Sequence, residues 1–304
     1  MEHQNNKYLL VLAGPTASGK TKLAIQIARY FQTEIISADS RQFYRELRIG
    51  TATPSESELA QVKHYFVANK SIKDHFDVAM YEKDVLTLLS QLFKIHDVVI
   101  LTGGSGLFID AVCNGLDALP ETSDQIRIQV QQILDFEGIK GLQERVHKLD
   151  PDYYKEVDIQ NPRRLQRALE VCLQTGATFS SFRTKNQTSR PFQIIKIAIE
   201  TNRNELIARI NQRVDLMIET GLVDEVISLK AFIEFNALNT VGYKEIFQYL
   251  SGEYTLEVAI EKIKTNTRRY AKRQITWLRK TDEYHWFERD EIDKIIKYCR
   301  TNMA

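Results

Sequence analysis

The stretch Gly14-Pro15-Thr16-Ala17-Ser18-Gly19-Lys20-Thr21 sets two glycines, a lysine and a threonine at the spacing G-x-x-x-x-G-K-T. Gly14 and Gly19 let the backbone turn so that successive N–H groups point inward. Lys20 adds a positive charge and Thr21 a hydroxyl for Mg²⁺, completing a pocket for two linked phosphates. The motif specifies a diphosphate without saying which one. Asp39, in Asp39-Ser40-Arg41-Gln42, is a carboxylate suited to act as a base, to hold a metal or simply to cap a turn. Ser105 stands in a second glycine turn, Gly103-Gly104-Ser105-Gly106. That turn reads either as a plain strand-to-helix connection or as a place where another reacting group approaches the backbone closely.

Chemistry of this kind needs a scaffold that brings these groups to one edge. The apolar run Tyr8-Leu9-Leu10-Val11-Leu12-Ala13 precedes the first loop, and Lys22 to Ala28 follows with apolar residues at helical spacing, so the loop joins a strand to a helix. Thr33 to Ala38 is a second, β-branched strand and presents Asp39 at its carboxyl end, the edge where open parallel sheets bind ligands. Ile49 to Pro54 reads as a loop, Glu56 to Val62 as a short helix, His64 to Val67 as a strand and Tyr81 to Phe93 as a helix. His64 and His75 receive structural and not catalytic roles. Asp97 to Thr102 is a buried strand. In ordinary P-loop NTPases such a strand ends in the carboxylate that supports Mg²⁺, but here it ends in Thr102 and glycines, which argues against ordinary ATP hydrolysis. Phe192 to Ile199 returns to strand character, and Asn202 caps a helix carrying Arg203, Arg209 and Arg213 that stops near Gly221; these arginines either reach the phosphates or face solvent.

With 304 residues the chain has room for an α/β core and a second lobe. The expected fold is α/β: a P-loop NTPase-like core with a parallel sheet flanked by helices, residues 1–120 and 190–304, plus a mainly helical insertion, residues 121–189. Within the insertion, Asn161-Pro162 forms a helix start before Arg163-Arg164-Leu165-Gln166-Arg167, whose arginines are either a solvated face or a phosphate-backbone contact. The 41 lysines and arginines nearly balance 40 acids, for a formal charge of +1, yet Lys264 to Lys280 holds seven cations and no acid. Ile263, Tyr270 and Trp277 anchor one face of that helix, with Arg268, Lys272 and Arg279 on one flank and Arg269, Arg273 and Lys280 on the other. It is either a solvated basic helix or a surface for a polyanion larger than a nucleotide. Cys113, Cys172 and Cys299 are isolated, which suggests neither a zinc site nor a disulfide framework. The N-terminus has no apolar leader segment and no run approaches membrane-spanning length, so a soluble, cytoplasmic protein without a membrane partner is expected.

Taken together and in order, these segments resemble the tRNA dimethylallyltransferase family, which transfers an isopentenyl group to tRNA adenosine. The resemblance rests on the Gly14 to Thr21 loop, Asp39-Ser40-Arg41-Gln42, Ile49-Gly50-Thr51-Ala52, Gly103-Gly104-Ser105-Gly106-Leu107, Asn161-Pro162-Arg163-Arg164-Leu165 with Arg167-Ala168-Leu169-Glu170, Val241-Gly242-Tyr243-Lys244-Glu245, and Lys272 to Arg279. It implies that the loop holds dimethylallyl diphosphate with Mg²⁺, and that Asp39 takes the proton from N6 of adenosine 37 in the anticodon loop. It implies tRNA contacts from Asp39-Ser40-Arg41-Gln42, Ser105, Arg127, Arg163-Arg164-Leu165-Gln166-Arg167, Asn239-Thr240-Val241-Gly242-Tyr243-Lys244 and Lys272-Arg273-Gln274-Ile275-Thr276-Trp277-Leu278-Arg279. Leaving-group charge would be met by the loop amides, Lys20, Mg²⁺, Ser105 and Arg213. A bacterial-type enzyme, without the zinc-finger-like extension of eukaryotic relatives, and a monomer are expected. A P-loop small-molecule kinase, an isopentenyltransferase acting on free adenine nucleotide and a non-catalytic tRNA-binding protein remain as alternatives.

Overall fold

An apolar run without alternation has to be covered on both faces, and Tyr8–Ala13 (β1) is accordingly buried along its whole length. The computed structural model describes residues 7–183 and 188–303. The N-terminal stretch read above, and residues 184–187 of the expected insertion, lie outside the described residues. The further strands are Ile35–Ala38 (β2), His64–Tyr65 (β3), Val98–Gly103 (β4), Gln193–Glu200 (β5) and His285–Glu288 (β6), in one sheet of order β3-β2-β4-β1-β5-β6. All pairings are parallel, with Ala13 opposite Gly103 and Gly103 in turn opposite Ala38. The α/β expectation is met. The strand β6, with two of its four residues exposed, was not read from the sequence because its apolar signal is so short.

Helices cover both faces of the sheet. Leu9, Val11, Val99 and Leu101 pack against Tyr81, Val85 and Leu89 of the helix Val78–Leu92 and against Ile109 and Val112 of the helix Gly106–Asn114. Leu10, Leu12 and Ile100 pack against Leu23 and Ile27 of the helix Lys20–Phe31 and against Ile295 and Cys299 of the helix Ile292–Met303. A further cluster centres on Tyr243, Leu222 and Ile263, where the helices Leu222–Ser228, Tyr243–Leu250 and Leu256–Leu278 meet. Among the described residues no helix is long and apolar enough to cross a membrane.

The helix expected over Glu56 to Val62 stops at Leu59, and two further element ends depart from the sequence reading for a visible local reason. The helix expected from Tyr81 begins at Val78, because the Asp77 carboxylate accepts the Met80 N–H at 2.9 Å and caps it. The strand expected over His64 to Val67 stops at Tyr65, because Phe66 adopts a left-handed backbone with φ 59°.

The described residues fall into two compact units, one within Met1–Asn114 and Ser189–Ala304, the other within Gly115–Thr188. The second unit is helical. Its helix Asp124–Leu149 breaks at Gly138, which has φ 68°, and it packs Val130, Leu142 and Val146 against Leu165 and Leu169 of the helix Pro162–Thr175. Asn161 caps that last helix by accepting the Arg164 N–H at 3.3 Å, with Pro162 at its first turn.

The carboxyl ends of β2 and β4 touch without room for a side chain. A Cβ on Gly103 would lie 2.3 Å from the Ala38 carbonyl oxygen, a backbone atom that cannot swing aside. Gly103→Ala should therefore lower stability by ~1–3 kcal/mol through overpacking, read as a lower urea midpoint than wild type.

Candidate active site

Parallel strands deliver their following loops to one edge, and here β1, β4 and β2 lie side by side. The loop after β1 runs to the helix Lys20–Phe31, with Ala17 at φ 62° and Gly19 at φ 90°. Gly19 is the N-cap and no side chain caps the helix, so its first N–H groups are left for a ligand. Lys20 Nζ donates to the Pro15 carbonyl at 2.7 Å. Burial drives its pKa down to about 7, helped by the neighbouring Arg213 guanidinium and opposed by Asp39. Arg213, on the helix Arg203–Glu219, donates to Thr16 Oγ1 at 3.1 Å and is likewise lowered by burial. Arg209, one turn earlier, donates to the Ser18 carbonyl at 3.4 Å.

Asp39 follows β2 directly and its carboxylate accepts the Arg41 N–H at 3.0 Å, which fixes the turn. Ser105 Oγ accepts the Ser40 N–H at 3.0 Å, and the Ser105 N–H donates to the Ala38 carbonyl at 3.2 Å. The loops after β2 and β4 are thus tied together. Tyr270 completes this corner with a hydrogen bond to Ser105; burial, reinforced by Asp39, raises its pKa to about 12. In the sequence Tyr270 reads only as an anchor of the basic helix, and its place three residues before Arg273 is the signal for a part in the site.

Two cavities meet at this corner. One, of about 870 Å³, is lined by Gly19, Lys20, Thr21, Thr102, Arg209 and the exposed Gln212, among others. The second, of about 600 Å³, is lined by Ser40, Arg41, Asn239 to Gly242, Lys244, Tyr270 and Arg273. Thr16, Asp39, Thr51 and Arg213 line both. His64, given no catalytic role from the sequence, also lines the first cavity; its Nδ1 lies 2.8 Å from the Val62 carbonyl.

The walls explain the remaining motifs. Glu225 accepts the N–H groups of Arg48, Ile49 and Gly50 at 3.0, 2.8 and 3.1 Å and the Tyr243 hydroxyl at 2.5 Å. Gly50 lies so close to Tyr243 that a Cβ would sit 2.5 Å from the ring. Gln42 donates to the Thr51 and Ala52 carbonyls at 3.3 and 3.1 Å, and Arg41 to the Asn236 carbonyl at 3.1 Å. Tyr243 is fully buried, so its part is in the wall, whereas Lys244 is exposed.

On the basic helix Leu256–Leu278, Lys272, Arg273 and Thr276 are exposed, as is Arg279 just beyond it, while Leu278 is 2% and Gln274 6% exposed. Ile275 and Trp277 are half-buried. Trp277 lies on Gly106, where a Cβ would fall 2.3 Å from its ring, and its indole hydrogen-bonds Asp110. Arg268 donates to Asn211 and Thr265 at 3.0 and 2.8 Å, and Arg279 pairs with Glu200 at 2.9 Å. Arg268, Arg269, Lys272 and Arg279 all border a groove of about 770 Å³ that Leu206, Ile210 and Ile275 also line.

In the helical unit, Arg127 and Arg167 converge on the buried Thr122 hydroxyl, each donating at 3.2 Å. Leu165 is fully buried there, Gln166 donates to Gln131 at 2.9 Å, and Arg163 and Arg164 are exposed.

Residues 42–281 match the family model described as IPP transferase. The chain is 48% identical over 297 residues to tRNA dimethylallyltransferase 1 of Bacteroides fragilis, covering 98% of this chain and 99% of that one. It is 50% identical over 291 residues to the tRNA dimethylallyltransferase of Christiangramia forsetii, covering 96% of each. The crystal structure of the full-length tRNA isopentenylpyrophosphate transferase from Bacillus halodurans superposes with a TM-score of 0.73 at 32% identity, covering 98% of this chain and 97% of that one. With its family model, its near full-length relatives and its fold in agreement, the chain belongs to the IPP transferase family.

Proposed function

We propose that this protein transfers the dimethylallyl group of dimethylallyl diphosphate to N6 of adenosine 37 in the anticodon loop of tRNA, releasing diphosphate. The observation that carries this reading is the meeting of two cavities at Asp39, one built for a diphosphate and the other bordered by the basic helix. The relatives' names supply the acceptor and the transferred group.

The diphosphate sits against the uncapped N–H groups behind Gly19, with Lys20 and Arg213 as counter-charges. Thr21, at the start of the helix, lines this cavity, and its hydroxyl is an oxygen donor of the kind that suits Mg²⁺. Among the described residues no group of three His, Cys, Asp or Glu forms a metal cage. Bound at Thr21, Mg²⁺ would neutralise charge on the departing oxygens.

The adenine enters the second cavity, past Lys244 and Arg273, after leaving its stack at a cost of a few kcal/mol. The N6 lone pair attacks C1 of the allyl group and the C1–O bond breaks, its electron pair leaving on diphosphate. The N6 proton passes to the Asp39 carboxylate. The loop amides, Lys20 and Arg213 are already oriented where charge develops on the leaving group, and one such donor contributes on the order of 3 kcal/mol. Ser105 holds the Asp39-Ser40 turn. The basic helix and the arginines of the helical insertion, the expected domain of residues 121–189, contact the tRNA backbone. We take the working unit to be a single chain in the cytoplasm.

Calorimetry should show dimethylallyl diphosphate binding in preference to ATP; tight ATP binding with multiple-turnover hydrolysis would favour a kinase. Lys20, half-neutral near pH 7 in the free protein, must become charged beside an anion. Binding of inorganic diphosphate at pH 8 should then take up protons, and Lys20→Arg, always charged, should take up close to one fewer. The measurement is the dependence of binding heat on buffer ionisation enthalpy. Asp39→Asn keeps the acceptor for Arg41 N–H but cannot take the proton, so single-turnover transfer on preformed tRNA complexes should fall ~10²–10⁴-fold. A rate within threefold of wild type would move the proton to water or diphosphate.

A further inference from the structure

The resemblance counts Gln274 among RNA-contacting positions, but this side chain is turned inward. It is 6% exposed, on a helix whose neighbouring Lys272 and Arg273 are both in solvent. Its Oε1 accepts the Thr16 N–H at 2.8 Å, and its Nε2 donates to the Gly104 carbonyl at 2.8 Å. The two ends agree on the orientation of the amide, since a backbone N–H demands an acceptor and a carbonyl a donor. Gly104 is fitted to it, because a Cβ there would lie 2.1 Å from Nε2.

Each partner leads further into the site. Thr16 Oγ1 accepts from Arg213, which lines both cavities. Gly104 precedes Ser105, whose hydroxyl holds the Ser40 N–H beside Asp39. One amide therefore spans the diphosphate side and the base side, and fixes the gap across which C1 and N6 must meet.

We propose that Gln274 is a positioning residue for prenyl transfer, a buried cross-brace that sets the diphosphate loop against the Ser105 turn, and not an RNA contact. This rests on the reading of the site as a prenyl transferase. A displacement of about 1 Å between reacting groups costs on the order of 10²-fold in rate. Both hydrogen bonds of this nearly buried side chain are needed to prevent it.

The test compares wild type, Gln274→Met and Gln274→Glu with dimethylallyl diphosphate, Mg²⁺ and unmodified tRNA. Gln274→Met keeps length and loses both bonds. It should lower the single-turnover rate roughly 100-fold while tRNA affinity stays within about twofold, as no phosphate contact is removed. Weakened tRNA affinity with an unchanged rate on saturated complex would make Gln274 an RNA contact and overturn the brace, as would a rate within threefold of wild type. Gln274→Glu gives an arm independent of folding defects. When protonated it regains the donor towards Gly104, so its rate relative to wild type should climb as pH falls from 8 to 6, and a flat ratio counts against the proposal. If wild type itself transfers nothing, the functional reading fails. Inorganic diphosphate binding then still judges the brace, which requires at least threefold weaker binding by Gln274→Met.

Discussion

Two cations drawn out of water into one cavity are the constraint on which this structure turns. Lys20 and Arg213 both pay for desolvation, each is relieved by Asp39, and Lys20 is further opposed by Arg213. Such a pair is electrostatically incomplete, and a linked diphosphate completes it better than a single carboxylate does. The uncapped helix start behind Gly19 points the same way. The sheet supplies the rigidity, since β1, β2 and β4 are buried on both faces and end together.

Close approach of backbone to backbone, or backbone to ring, is the second organising feature. Gly103 meets the Ala38 carbonyl, Gly104 the Gln274 amide, Gly106 the Trp277 ring and Gly50 the Tyr243 ring, each at a distance that excludes a side chain. Three of these lie in four consecutive residues, so the second glycine turn is a packing seam between β2, β4 and the basic helix. Trp277, which the heptad spacing marks as an anchor of one helix face, is held there by Gly106 and Asp110. With Trp277 and Gln274 turned inward, Lys272 and Arg273 are exposed on the same helix.

Charge on the surface is divided by the same packing. Of the two flanks of the basic helix, Arg268 is engaged by Asn211 and Thr265 and Arg279 by Glu200, whereas Arg273 lines the cavity that contains Asp39. Sequence spacing separated these flanks by angle alone. Packing in the folded chain decided which of these cations are engaged and which line the cavity that contains Asp39.

The sequence by itself determined the phosphate loop, the strand that carries Asp39, the capped helices at Asn161 and Asn202, and the parallel α/β class. Each is a local matter, set by periodicity, caps and glycine over a few residues. It did not reveal β6, whose four residues form a strand only because β5 offers an edge. Nor did it separate inward from outward residues on the basic helix. Gln274 and Arg273 are adjacent and both polar, yet one is buried between two loops and the other faces a cavity. That choice depended on Thr16 and Gly104, 258 and 170 residues away. Only the folded chain brings an unpaired N–H and an unpaired carbonyl to the two ends of one amide.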